Sequence, residues 1–209
     1  VLRTFGDQAV STSSFQTQSL PLLHIIAETA PPLRVFFLDT GFHFAETLRF
    51  RKDVTDSLGL NVQDLTSQIG HDGFLSQFGT LYRRDPDRCC FINKVEPLDR
   101  ALAGASAWIT GIRRDQTKER KTTPIVERRP DGLLKIAPMA NWKQEDVDAY
   151  IRQYDLPAHP LLAKGYPSIG CQPCTRAVRE GEDYREGRWA EAEKTECGLH
   201  EDFFKQPQD

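Results

Sequence analysis

Between Pro31-Pro32 and Gly41 the chain reads R-V-F-F-L over Arg34–Leu38, four apolar residues in unbroken succession. Such a run offers no polar face, so a strand made from it must be covered on both sides, as strands of parallel sheets are. Residues 108–110 (W-I-T), ending at Gly111, repeat the pattern, and residues 8–13 and 60–65 are further extended candidates. Segments 20–28 and 44–58 carry apolar residues at helical spacing. Asn141-x-x-Gln144 resembles a capping box and opens a helix to Tyr154 that Pro157 closes. This alternation predicts an α/β fold, a parallel-rich twisted sheet flanked by helices on both faces.

No stretch approaches the roughly 20 apolar residues that span a bilayer, and no basic-then-apolar leader is present. Aromatic residues make up 10% of the chain, enough to build a core and to exclude a disordered class. A net charge of −3 gives no general attraction to nucleic acid or to an anionic membrane. The expectation is a soluble, cytoplasmic protein.

Charge is uneven along the chain. Arg113, Arg114, Lys118, Arg120, Lys121, Arg128 and Arg129 face only Asp115, Glu119 and Glu127 in the same stretch. From 180 to 209 ten acids outweigh Arg185, Arg188, Lys194 and Lys205. This acidic segment is poor in aliphatic residues and is expected to pack loosely as a mobile arm. The chain then divides into an α/β domain over 1–175 and an arm over 176–209.

Five cysteines, an odd number without secretory features, argue against a disulfide framework. Cys89 and Cys90 are adjacent, Cys171 and Cys174 form C-x-x-C, and Cys197 stands alone. Two thiolate pairs can hold tetrahedral zinc or an iron–sulfur cluster. Adjacent cysteines crowd a single zinc ion but can reach two irons of a cubane. Spacing therefore favours a cluster, with zinc and unligated buried thiols left open. Lys94, four residues past Cys90, shares its face if that stretch is helical, where a cation would offset thiolate charge; the alternative is an ordinary surface lysine. Cys197, in E-C-G-L-H, is a candidate nucleophile that His200 could assist, although most lone cysteines are inert.

Ligands of open α/β sheets sit outside the carboxyl ends of the strands. Ser11, Ser13, Ser14, Phe15 and Gln16 follow the first strand and precede a helix, offering hydroxyls and N–H groups to an anion; a plain helix cap reads the same way. Leu38-Asp39-Thr40-Gly41 follows the second strand, with Gly41 letting the backbone turn. Gly111, Arg113 and Arg114 follow the third, where arginines suit bidentate phosphate or sulfate contacts or form a solvated basic loop. An RNA-binding strip would need aromatic residues between the cations, and none is there.

Taken together, L-D-T-G at 38–41 with Glu46-Thr47, C-C-x-x-x-K-x-E-P-L at 89–98, W-x-T-G-x-R-R-D-Q at 108–116, G-Y-x-S-I-G-C-x-P-C-T-R at 165–176, G-R-W at 187–189 and E-C-G-L-H at 196–200 resemble the assimilatory sulfonucleotide reductases, most closely the iron–sulfur adenylyl-sulfate (APS) reductases. The resemblance covers nearly the whole chain. It implies an adenine nucleotide alpha hydrolase-like, PP-loop type fold and one 4Fe–4S cluster on Cys89, Cys90, Cys171 and Cys174. It implies that Cys197 attacks the sulfate sulfur and that thioredoxin, or glutaredoxin, releases sulfite in sulfate assimilation. The loop with Ser11, Ser13, Ser14, Phe15 and Gln16 looks like the family's phosphate loop, and Leu38, Thr40 and Gly41 like its adenosine element. Arg113 and Arg114 would meet the nucleotide, Arg185 and Arg188 would clamp the anion, and Lys94 would link cluster to substrate.

Two departures stand out. Gln16 replaces a common glycine, and Phe42-His43-Phe44 replaces Arg-Leu-His. The complete quartet points to APS; phosphoadenylyl sulfate (PAPS) or dual specificity are the alternatives, and a homo-oligomer is expected. An ATP-pyrophosphatase-type enzyme would carry S-G-G-x-D-S, which is missing here. A metal-bearing RNA-binding module is disfavoured by the net charge of −3.

Overall fold

The structure is a computed structural model that describes residues 1–192 and 194–199. The chain forms two compact units. The first comprises Val1–Phe37, Arg49–Gln63 and Leu102–His159; the second comprises Leu38–Leu48, Asp64–Ala101 and the segment from Pro160 onward.

A six-stranded sheet organises the first unit. Its strands are β1 (Ala9–Thr12), β2 (Arg34–Leu38), β3 (Asn61–Leu65), β4 (Ala107–Ile109), β5 (Val126–Arg128) and β6 (Leu134–Ile136), in the order β3-β2-β1-β4-β6-β5. β1 runs parallel to β2 and β4, β4 parallel to β6, and only β5 pairs antiparallel with β6. Ala9, Val35, Phe37, Ala107 and Ile109 share one face and join the core with Leu20, Leu23 and Ile26 of α2 (Leu20–Thr29), Phe50 and Val54 of α3 (Ala45–Leu58), and Val147 of α8 (Gln144–Gln153). Val10, Phe36 and Trp108 point to the other face and are also buried. The strands are therefore covered on both sides, as the unbroken apolar runs require.

The hairpin β5–β6 is not visible in the sequence as strand, because charged residues occupy it. Glu127 and Lys135 lie opposite each other across the pair and form an ion pair at 3.5 Å, and the Lys135 ammonium lies 5.8 Å from the Trp108 ring centre. α8 also begins later than the Asn141 box predicts. Its first turn is capped by Asp146, whose carboxylate accepts the Lys143 N–H at 2.7 Å, while Asn141 accepts from Arg114 Nη1 at 2.5 Å.

The second unit is built of short helices: α4 (Gly70–Phe78), α5 (Leu81–Arg84), α6 (Pro86–Cys90), a π-helical turn Phe91–Val95, and α7 (Glu96–Leu102). α1 (Leu2–Phe5) is a single turn in the first unit. α6 starts on Pro86, with Asp85 accepting the Arg88 N–H at 2.9 Å, a normal helix entry. Phe74, Leu81 and Cys89 form a small core with Phe42, Phe78, Tyr82 and Ile92, and Phe42 stands edge-on to His71, Phe74 and Tyr82.

In its described part the acidic segment carries several charge pairs and backbone hydrogen bonds. Arg176 grips Glu182 with two hydrogen bonds of 2.7 and 2.8 Å; Arg176 N–H donates to the Gly187 carbonyl and Trp189 N–H to the Cys174 carbonyl, both at 2.9 Å. Lys194 bridges to Asp87, and Arg185 donates to the Thr195 carbonyl at 2.9 Å. No helix among the described residues is long and apolar enough to cross a membrane.

Candidate functional site

In the first unit the strand order reverses between β1 and β4, and in open α/β sheets the carboxyl ends at such a point are where ligands sit. The predicted anion loop leaves β1 here. Ser11 is buried and its hydroxyl donates to the Ile109 carbonyl at 3.1 Å, so it braces β1 against β4. Ser13 N–H donates to the Phe36 carbonyl, and Ser13 Oγ accepts the Phe15 N–H at 3.1 Å. That hydrogen bond supports Phe15 at φ +52°, a conformation uncommon for a bulky side chain. The Phe15 ring is fully buried, edge-on to Phe37. Ser14 is left exposed, with Gln16 Nε2 donating to its hydroxyl at 3.1 Å. A turn at Thr17–Ser19 then leads into α2, so the loop lies at a helix N-terminus, the standard place for an anion.

Arg113 and Arg114 follow β4 but are well occupied. Arg113, 1% exposed, donates Nε and Nη2 to Asp115, Nη1 to Gln18 and Nη2 to Gln144. Arg114 holds the Thr123 carbonyl at 2.8 Å and Asn141. Gly111 sits with Leu22 Cδ2 3.5 Å from where a Cβ would stand.

In the second unit the L-D-T-G turn is held by its own side chains. Asp39 Oδ1 accepts the Gly41 N–H at 2.9 Å, and His43 Nε2 is 2.8 Å from the Leu38 carbonyl oxygen. Gly41 has φ +72°, and a Cβ there would come within 2.3 Å of the His71 ring, so only glycine fits. Thr40 is buried, and its hydroxyl lies 3.3 Å from Cys171 Sγ.

Cys89, Cys90, Cys171 and Cys174 line one pocket together with Thr40, Phe42, Tyr82, Asn93, Lys94 and Trp189. Cys89 and Cys90 end α6, and the π turn after them lets Asn93 donate to the Cys89 carbonyl at 3.0 Å while Lys94 turns into the buried interior. Burial pushes the Cys89 thiol up to about 12 and Cys174 to about 11, with the other thiolates adding to both. Burial also raises Cys90, against the pull of Lys94. Burial alone would depress Lys94, but the charges of Cys171, Cys90 and Cys197 outweigh it and hold the ammonium above the usual lysine range.

Cys197 is not among the residues that line the pocket, yet its charge reaches Cys90, Lys94 and Arg188. Arg188 lies over the Trp189 ring at 4.3 Å and donates Nη1 to the Ile169 carbonyl at 3.0 Å. Gly170 permits this, since a Cβ there would meet the guanidinium at 2.3 Å. Arg188 Nε is buried without a hydrogen-bond partner among the described residues. Burial, with Arg185 beside it, lowers Arg188 from the usual arginine range. Arg185 is 3.4 Å from the Glu196 carboxylate. His200 lies outside the described residues.

Among the described residues no three His, Cys, Asp or Glu side chains are set to hold a single metal ion. Tetrahedral zinc would draw its sulfurs to roughly 3.8 Å of each other. Four thiols around one pocket, three of them (Cys89, Cys90 and Cys174) raised by burial and all faced by a buried lysine, nevertheless form an all-sulfur donor set suited to a larger, multi-iron group. Sequence reasoning did not find the lining role of Phe42, Tyr82, Asn93 and Trp189. The F-H-F after L-D-T-G was the one visible signal, since Phe42 supplies part of the wall.

Comparison with known proteins gives a consistent picture. Residues 8–177 match the family described as "Phosphoadenosine phosphosulfate reductase domain". An adenosine 5'-phosphosulfate reductase of Streptomyces coelicolor is 46% identical over 201 residues, 94% of this chain and 84% of that protein. A phosphoadenosine 5'-phosphosulfate reductase of Gloeobacter violaceus is 44% identical over 208 residues, 95% of this chain and 85% of that one. The crystal structure of a PAPS reductase from Candida auris in a phosphate complex superposes with TM-score 0.73 at 29% identity, covering 85% of this chain and 86% of that one.

Proposed function

The chain belongs to the phosphoadenosine phosphosulfate reductase family, and on that premise we propose that it reduces adenylyl sulfate to sulfite and AMP in sulfate assimilation, with thioredoxin as electron donor. The observation that carries this reading is the division of five thiols: four around one pocket, and a fifth outside its lining, near Lys94 and Arg188. Named relatives act on both nucleotides; APS is chosen because the cysteine quartet is complete.

The Cys197 thiolate attacks the sulfate sulfur in line. The bond from sulfur to the AMP phosphate oxygen breaks, AMP leaves with the electron pair, and Cys197 becomes S-sulfocysteine. AMP phosphate is a weak base, so no strong general acid is needed. Lys94 and Arg188, with its open Nε, meet the negative charge of the sulfate. A thioredoxin thiolate then attacks Cys197 Sγ, and sulfite leaves with the S–S electron pair. The second thioredoxin thiol resolves the mixed disulfide, returning the Cys197 thiol and oxidising thioredoxin. Cys89, Cys90, Cys171 and Cys174 would hold a 4Fe–4S cluster, which when bound supplies a fixed inorganic charge opposite Lys94. Free thiols of this kind suit a cytoplasmic setting.

The test is sulfite release from APS and from PAPS, side by side with thioredoxin, on anaerobically purified protein. Sulfite from APS with a transient SO3 addition on the Cys197 peptide supports the reading. Failure to modify that peptide with either nucleotide, in iron-loaded protein, overturns it; zinc in place of iron and sulfide overturns the cluster assignment alone.

A further inference from the structure

Lys194 stands three residues before Cys197, and its side chain is only 6% exposed. A buried ammonium needs compensating partners. Two are in place: the Trp189 ring, whose centre is 5.6 Å away, and the Asp87 carboxylate, to which Lys194 bridges. Trp189 is itself fixed, with its N–H on the Cys174 carbonyl. Asp87 lies in α6, two residues before Cys89, and is 62% exposed. One lysine therefore ties the segment bearing Cys197 to the helix bearing Cys89 and Cys90. Three extended residues reach at most about 10 Å, so anchoring position 194 confines Cys197 to a small volume. The same tether brings the Lys194 charge to bear on Cys90.

We propose that Lys194 is a positioning residue for the nucleophile: its bridge to Asp87, seated on Trp189, latches the Cys197 segment in the attacking position. The idea rests on the reading of Cys197 as the nucleophile, and it adds a specific holder for it. Arg185 supports the same segment through the Thr195 carbonyl, but from within the segment's own stretch of chain. Lys194 instead carries its tether to α6.

The test uses iron-loaded protein carrying Lys194→Met, Asp87→Asn, the two together, and Lys194→Arg. Lys194→Met keeps the apolar stem, and Asp87 is exposed, so both variants should fold; iron content and melting temperature verify that. Two readouts are followed: amide hydrogen exchange of the peptide spanning 194–199, and the single-turnover rate of S-sulfo formation on Cys197. Each single variant should raise exchange several-fold and slow adduct formation about tenfold or more, with nucleotide affinity little changed. The double variant should be no worse than either single one, since both remove the same contact, and Lys194→Arg should restore both readouts. Unchanged exchange and adduct rate in Lys194→Met would overturn the latch. So would equal, additive losses, which would make the two residues independent. If wild-type protein forms no adduct but the exchange pattern follows this scheme, the latch stands and the functional reading falls.

Discussion

In the proposed reaction Cys197 carries the chemistry, so its replacement gives the sharpest single-residue expectation. Cys197→Ser should lose sulfite release and the S-sulfo adduct entirely while keeping the iron content and visible absorption of the wild type, since Cys197 does not line the quartet pocket. An absorption change would place Cys197 among the ligands instead. A second residue-level expectation concerns Glu182. Its carboxyl is held down to about 2, first by the side-chain hydrogen bonds from Arg176 and then by the Arg179 N–H. With the folded value depressed, the pair stabilises the protein fully above the ordinary value of 4.5, and the contribution fades as pH falls through about 2. Carboxyl NMR should find Glu182 titrating well below the other glutamates, and Arg176→Lys should move it upward. Arg113 marks the limit of reading residues from sequence. Two arginines past a strand end read as anion contacts or as a solvated basic loop, whereas Arg113 is 1% exposed and donates to Asp115, Gln18 and Gln144. Only tertiary contacts from three separate segments reveal that.

Elements were legible where one force dominated. The span Arg34–Leu38 was read to the residue because burial on both faces leaves a continuous apolar run. α3 was read to within one residue from its helical spacing. Short helices α4, α5 and α6, and the hairpin β5–β6, were missed because their stability comes from neighbours such as the Phe42 cluster and the Trp108–Lys135 contact. The turn after β2 yields a prediction at this scale. Gly41→Ala forces an L side chain to φ +72° and into His71, so it should cost about 1–3 kcal/mol in chemical denaturation. The β1 loop yields another. Trp108 Nε1 donates to Thr12 Oγ1 at 3.0 Å, just before the anion loop. Trp108→Phe should lose about 1–3 kcal/mol of stability and raise the KM for nucleotide more than it lowers kcat; a purely structural tryptophan would leave KM alone.

On the scale of the whole molecule, the four-plus-one arithmetic of the cysteines foresaw which thiols gather, although they stand far apart along the chain. What sequence did not foresee was the place of Trp189 in that lining, which comes through the fold of residues 174–189. With the proposed cluster in place, removing its iron with a chelator under reducing conditions should lower the melting temperature markedly, since it leaves four crowded thiols around an unfilled hollow. An unchanged melt would mean that the quartet braces itself.

The path of the chain has a practical corollary. It passes from one compact unit to the other five times, at 37/38, 48/49, 63/64, 101/102 and 159/160. No single nick or truncation can liberate either body with its full complement of residues. Proteases should produce all-or-nothing digestion rather than a durable half, and chimeras that swap the sulfur-rich body must splice in three inserts, not one.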